Sequence, residues 1–491
     1  MLFFGLDLGT SGVKANIFDE KGNVVASSYC EYVYVLESEK RELDAENIWE
    51  CTKYVLQEAL KKCSNSNEIA ALAVSSFGEA FVSVDEKGNI ISRVMVGSDS
   101  RADNIYAKKK DLLDPEYIAE NCGLAMSSTY SFAKILFIKN EYPKIYDKTK
   151  YFLLMEDFIY YKLLGEPYSE YSIASRTMLF NVKKKCWDKN LLDLLGIDER
   201  KFAPAVQSGT VLGTINSKVA HELGISPTLK VIAGGHDQPC CAAGGGNSKN
   251  DVVCSMGTSE ALTPILEKPL SKETTLLYQF ANEPYLQADQ FCTMLYNPAC
   301  GVLIKWFFES LCDKHEYVNG VPPYELYEKN AAKAKTKMMV LPYLCGRGTP
   351  ALDNDMRMSF VNIDLADDRF SIYRAILEGM CFEQKYNLEI LSRTGLHYEN
   401  IIAVGGGTNS ALWLQIKANI LQMPIKVSAC RESASLGCAM ICAVALGVYA
   451  DLAEAAENMH RIATVFEPIK SGKAGYDEKY IKFKKMVSVE C

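Results

Sequence analysis

The sequence predicts an α/β protein of two related halves that face each other across a cleft. Three observations predict it. Apolar runs of strand length alternate with stretches of helical spacing. A Gly-Thr-Ser triplet occurs twice, at 9–11 and 257–259, each time after an apolar run and about half a chain apart. No low-complexity linker and no short-period repeat interrupts the 491 residues. Hydrophobic residues make up 48% and charged residues 23%, which excludes a collagen, a disordered chain and a disulfide miniprotein.

The elements follow in order. Residues 2–8, LFFGLDL, read as a strand ending at Gly9-Thr10-Ser11-Gly12. Two further apolar runs flank Asp19-Glu20-Lys21-Gly22-Asn23, which predicts a hairpin. Residues 44–62 read as a helix capped by Asp44, with Ile48, Cys51, Val55 and Leu60 at apolar spacing. A strand over 69–75 and another over 81–84 follow, the second leading into a hairpin signal at 85–89. The stretch 100–230 mixes helices and turns. A strand over 230–233 then enters a glycine loop, Gly234-Gly235-His236-Asp237-Gln238. After the Gly-rich link 244–247 the pattern restarts with a strand over 252–256 and the second Gly-Thr-Ser turn. The halves are therefore drawn at 1–243 and 244–491. The apolar stretch 434–450 is short for a membrane span and rich in Ala, Gly and Ser, so it reads as a buried helix.

The formal net charge is -8, which argues against nucleic acid or an anionic membrane as the main partner. The 17 cysteines include no C-x-x-C pair and sit in apolar segments, as reduced thiols of a cytoplasmic protein would. The N-terminus lacks the basic and long apolar regions of a signal peptide.

Four Gly-containing loops, at 7–14, 234–238, 255–259 and 405–410, each follow an apolar run. Such turns expose consecutive backbone N–H groups that converge on an anion, and Thr or Ser beside the Gly adds a hydroxyl donor. Two of them on opposed halves can hold a di- or triphosphate. No P-loop motif and no complete G-x-G-x-x-G occurs. Asp7, at the end of an apolar strand, is costly to desolvate unless it meets a cation or water, and magnesium on phosphate oxygens is a natural partner. Asp237 is placed to accept a proton from an attacking hydroxyl. His236 is a weaker candidate for that role.

These residues resemble the FGGY family of carbohydrate kinases, whose members have two ribonuclease-H-like domains of the actin-like ATPase type. Gly5 to Lys14 looks like the family's first phosphate motif, Gly235-His236-Asp237-Gln238 its catalytic G-x-D-Q, and Ser255 to Ser259 its second phosphate motif. Residues 403–419 resemble its adenosine motif, 432–439 the helix that follows, and 155–165 a D-[YF]-x-x-Y-[KR]-L segment. The resemblance implies ATP-dependent phosphorylation of a sugar or polyol hydroxyl, with ATP and Mg2+ as cofactors. It makes Asp237 the general base, Gln238 a sugar ligand and Asp7 a magnesium residue acting mostly through water. It puts Thr10, Ser11, Lys14, Gly257, Thr258, Gly301 and Lys305 near the nucleotide's phosphates and pocket, and Gly406, Gly407 and Ser410 at the adenine end. Glu79, Asp99, Arg101 and Tyr130 become sugar-side candidates, with Lys134 beside them. A homodimer is compatible with such enzymes.

The chain departs from the family pattern at several points. Gly97 stands where the family has Trp, Phe77-Gly78-Glu79 matches neither common substrate loop, Arg357 lacks its following Gly, and Asn419 replaces Asp. These changes bear on the substrate more than on the chemistry. A ketopentose such as xylulose is favoured; glycerol, gluconate and a deoxyketose are alternatives. The competing classes are a non-catalytic sugar sensor of the same fold and an ATP-driven conformational protein; the intact Asp237 argues against the first and the sugar-side residues against the second.

Overall fold

The computed structural model describes residues 1–37, 40–246, 248 and 250–487; Asn247 of the Gly-rich link lies outside them. Two six-stranded sheets dominate. The first runs Val211–Thr214, Lys230–His236, Ile69–Ser76, Leu2–Leu8, Gly12–Asp19 and Val24–Glu31. Its successive pairings are antiparallel, parallel, parallel, antiparallel and antiparallel. The second runs Ile462–Phe466, Ile425–Ser428, Asn400–Val404, Asp251–Met256, Glu260–Thr263 and Leu295–Asn297, with the same sequence of orientations. The recurrence of Gly-Thr-Ser thus marks a real structural repeat, each triplet forming the turn between a central strand and its hairpin partner.

The Leu2–Leu8 strand shows why sequence and sheet agree. It is buried at every position but Asp7, because both faces of this central strand, parallel to Ile69–Ser76 and antiparallel to Gly12–Asp19, are covered. The edge strand Val24–Glu31 is exposed at alternate positions instead. The Ala45–Lys62 helix starts where expected, with Asp44 accepting from the Glu46 N–H at 2.9 Å and Lys61 and Lys62 in the last turn.

Two local expectations change. The turn at 85–89 forms, but the Phe81–Val84 strand pairs with Tyr151–Leu154, leaving a single bridge from Val84 to Ile90. Tyr151–Leu154 is apolar and mostly buried and completes the core along the whole strand, while Ile90 of the return limb packs against that core only in part. The segment 234–238 is no loop: the strand continues through His236 and the helix Asp237–Gly244 begins at once.

The apolar stretch from 434 forms the buried helix Ser433–Ala445. It lies at the contact between the halves. A Cβ on Gly437 would sit 2.0 Å from the Cys240 carbonyl oxygen, one on Gly244 1.8 Å from that of Ser433, and one on Gly5 2.0 Å from that of Ser435. Glycine is needed at each for backbone to meet backbone. Around this contact, Phe3, Phe18 and Ile232 share one core with Val253, Ile402 and Leu436. No helix among the described residues is long and apolar enough to cross a membrane, and their cysteines are free thiols.

Candidate active site

A cleft of about 540 Å³ opens between the halves, lined by Phe77, Glu79, Tyr130, Asp237 and Gln238 from the first and by Ser259, Tyr296 and Arg347 from the second. Asp237 is on its floor. The Lys230–His236 strand delivers it, and Gly234 permits the delivery, since a Cβ there would lie 1.8 Å from the Val74 carbonyl oxygen. Burial raises the Asp237 carboxyl above its ordinary range, opposed chiefly by the neighbouring His236. The Gln238 side-chain oxygen is buried without a hydrogen-bond partner, so a ligand hydroxyl would satisfy it.

The sugar-side candidates separate into two groups. Glu79, at φ +62°, is held in the left-handed region by Arg176, whose Nε donates at 2.7 Å and whose Nη2 lies 2.5 Å away. The Lys134 ammonium donates to the Glu79 carbonyl at 3.1 Å, and its pKa falls to about 8 through burial. The Arg176 guanidinium lies 5.2 Å from the centre of the Tyr130 ring. Glu79 and Tyr130 therefore face the cleft together. Asp99 and Arg101 do not. The Asp99 side chain is fully buried, accepting from the Arg41 N–H at 2.9 Å and from Arg101, whose Nη2 also donates to Glu42 at 2.6 Å. With its oxygens already engaged, Asp99 braces the wall at Gly97 and Ser98 rather than offering a ligand atom.

The phosphate side has two hairpins. In the first, Gly9 N–H donates to the Gly12 carbonyl at 3.0 Å, with Thr10 and Ser11 exposed at its tip. Asp7 and Lys14 are register partners across it. The Ser75 hydroxyl donates to Asp7 at 3.1 Å; burial, then the charge of Asp237, push the Asp7 pKa up to about 7. Lys14 reaches the other half, ion-paired to Glu432 at 2.6 Å. In the second hairpin, Gly257 N–H donates to the Ser259 carbonyl at 3.0 Å. The helix Gly301–Leu311 docks on this turn: Gly301 N–H donates to the Gly257 carbonyl at 3.0 Å, and Val302 N–H to that of Thr258 at 3.2 Å. Gly301 thus supports the turn, and its N–H is already occupied. Lys305 is 73% exposed and 3.8 Å from Glu309, so the structure does not bring it to the cleft.

At the third loop, Gly405 adopts φ +86°, Gly406 is open, and a Cβ on Gly407 would sit 2.7 Å from that of Met256. Ser410 caps the helix Ala411–Leu421, accepting from the Trp413 N–H at 3.2 Å. This bare backbone suits the flat face of a base.

Sequence reasoning missed Arg176, Glu283 and the part played by Glu432. No local motif surrounds Arg176 or Glu283, and their partners lie 97 and 47 residues away in the chain.

A cleft between two matched sheets, with a carboxylate on its floor and a glycine hairpin on either side, defines a phosphotransferase of the actin-like ATPase fold. The chain belongs to the FGGY family of carbohydrate kinases: the family's N-terminal domain profile matches residues 2–244 and its C-terminal domain profile residues 252–446. It is 27% identical to a xylulose kinase of Staphylococcus epidermidis over 482 residues, which cover 97% of this chain and 94% of that one. Solved structures of a xylulose kinase and a gluconate kinase from Lactobacillus acidophilus each superpose with a TM-score of 0.89 at 22% identity, covering 99% of this chain and 97% of theirs. The protein is accordingly a carbohydrate kinase, an enzyme that transfers a phosphoryl group to a sugar hydroxyl.

Proposed function

We propose that the protein transfers the γ-phosphoryl group of ATP to a hydroxyl of a small neutral ketose, xylulose being favoured, with Asp237 as general base. The observation that carries this reading is the Asp237 carboxylate, half-buried in the cleft between the two phosphate hairpins. The sugar hydroxyl gives its proton to Asp237 as its oxygen attacks phosphorus in line with the leaving ADP oxygen. Gln238 and Glu79 orient the sugar. Backbone N–H groups of both hairpins and the Lys14 ammonium meet the charge on the transferring group. Closure of the halves excludes water, which would otherwise compete with the sugar as acceptor.

The residues present fit magnesium. Asp7 is a carboxylate that burial, and then the charge of Asp237, bring to a pKa of about 7, so a cation beside it would restore its charge. One carboxylate suits an ion that keeps waters and phosphate oxygens as its other ligands. Bound there, magnesium neutralises phosphate charge. A neutral sugar fits better than gluconate, because Glu79 faces the cleft and the Arg176 guanidinium is already shared between Glu79 and Glu283. The division at 243/244, a cytoplasmic location and a homodimer complete the reading.

The test is ADP release with ATP and a panel of ketopentoses, deoxyketoses, polyols and gluconate. Asp237→Asn is expected to lower kcat by ~10²–10⁴-fold while calorimetry still detects ATP binding. Turnover unchanged in that variant overturns the assignment of the base.

A further inference from the structure

Directly behind the floor carboxylate lies a string of charged groups that the proposed reaction leaves without a task. Glu283, fully buried, belongs to the short strand Glu283–Pro284 of the C-terminal half. Its Oε1 stands 2.7 Å from His236 Nδ1, and His236 Nε2 stands 3.2 Å from Asp237 Oδ1. The His236 backbone N–H donates to Ser172 Oγ at 2.8 Å, which fixes the residue from a third side.

We propose that Glu283 and His236 are positioning residues for Asp237: the C-terminal half, through Glu283, holds the His236 ring so that its Nε2–H pins one oxygen of the base and leaves the other for the sugar hydroxyl. This inference rests on Asp237 being the base. A buried carboxylate on Nδ1 and another on Nε2 favour the doubly protonated ring, and the His236 pKa rises to about 9, with burial and Arg176 opposing the two carboxylates. The imidazolium in turn favours the anionic form of Asp237. It offsets burial and the like charges of Glu79, Glu283 and Asp7, the acidic groups that face Asp237 from the other elements. Gln238 adds a hydrogen bond in the same direction as His236.

The pair also joins the halves chemically. Asn282, next to Glu283, donates its N–H to the Gly123 carbonyl at 2.7 Å, so this part of the C-terminal half is seated on the N-terminal one. The base is therefore oriented from the half opposite to the one that carries it.

Two measurements test the proposal, with Asp237→Asn as a control on the base itself. The chain has five histidines, and NMR of labelled imidazoles can follow each; the signal absent from His236→Gln belongs to His236. In the wild type it is expected to stay protonated through pH 8, and in Glu283→Gln, a substitution of equal size, to titrate lower by about one to three units. In kcat/KM profiles from pH 5.5 to 8.5, Glu283→Gln is expected not to raise the acid limb, because it removes a like charge from beside Asp237 while the ring is still protonated at that pH. His236→Gln, which removes the imidazolium, is expected to move the acid limb upward, so that its loss relative to wild type exceeds tenfold at pH 6 and shrinks as pH rises. A His236 signal titrating near 6.5 in the wild type overturns the proposal, as does a loss in His236→Gln equal at every pH. If Asp237→Asn keeps full turnover, the general-base reading fails instead, and the His236 titration then reports on the ion pair alone.

Discussion

Asp7 is the residue whose environment asks most for a ligand. A carboxyl whose folded pKa is near 7, against 3.8 in the unfolded chain, binds its proton more tightly when folded. Its favourable contribution is complete below pH 3.8 and is lost as pH rises toward 7. The ligand-free protein should therefore lose stability across that window, and Asp7→Asn should remove this loss. We expect the variant to show a higher Tm than wild type at pH 8 by calorimetry without ligands, and yet to be nearly inactive. A lower Tm at pH 8 would contradict the reading of Asp7 as strained while empty. The position was legible in the sequence because a lone charge at the end of an apolar strand is itself a signal. Arg176 was not legible: its pairing with Glu79 depends on a helix and a loop meeting 97 residues apart.

At the scale of elements, strands and turns were readable where the residue pattern settles one partner. The first hairpin was, since Asp19 accepts from the N–H groups of Lys21 and Asn23 and closes the turn locally. The Phe81–Val84 strand was readable as a strand but its pairing was not, because its partner is chosen by burial rather than by the turn that follows it. In the sequence, Asp99 and Arg101 are sugar-side candidates only through the family resemblance of residues 97–101, and nothing in that local pattern shows their partners. Their pairing with each other and with Glu42 is a tertiary fact. The helix pair Asp237–Gly244 and Ser433–Ala445 gives a sharper prediction. In Gly437→Ala the new Cβ would lie 2.0 Å from the Cys240 carbonyl oxygen, with backbone on both sides and no flexible chain to yield. We expect a loss of ~1–3 kcal/mol or more in chemical denaturation, and reduced kcat, since the Cys240 helix carries Asp237 at its first position.

For the whole molecule, the repeat of the Gly-Thr-Ser triplet led to two halves because each triplet turns a central strand into the same hairpin. The two sheets differ in chain order only at one edge, where Val211–Thr214 precedes its neighbour and Ile462–Phe466 follows its own. How the halves touch was beyond local pattern, and one such contact bears on nucleotide binding. Lys14 is paired with Glu432 across the cleft, so a phosphate that recruits the ammonium must compete with that carboxylate. Glu432→Gln is expected to tighten ADP binding severalfold by calorimetry at low salt; weaker binding would mean that Glu432 holds Lys14 in its working position. The glycine contacts at Gly5, Gly244 and Gly437 carry a mechanical consequence. Where main chain rests on main chain, no side chains interdigitate to be repacked one row at a time. Relative motion of the halves is thus cheapest as rotation about that line, like two pages turning on a spine, and shear along it is blocked by the carbonyls themselves.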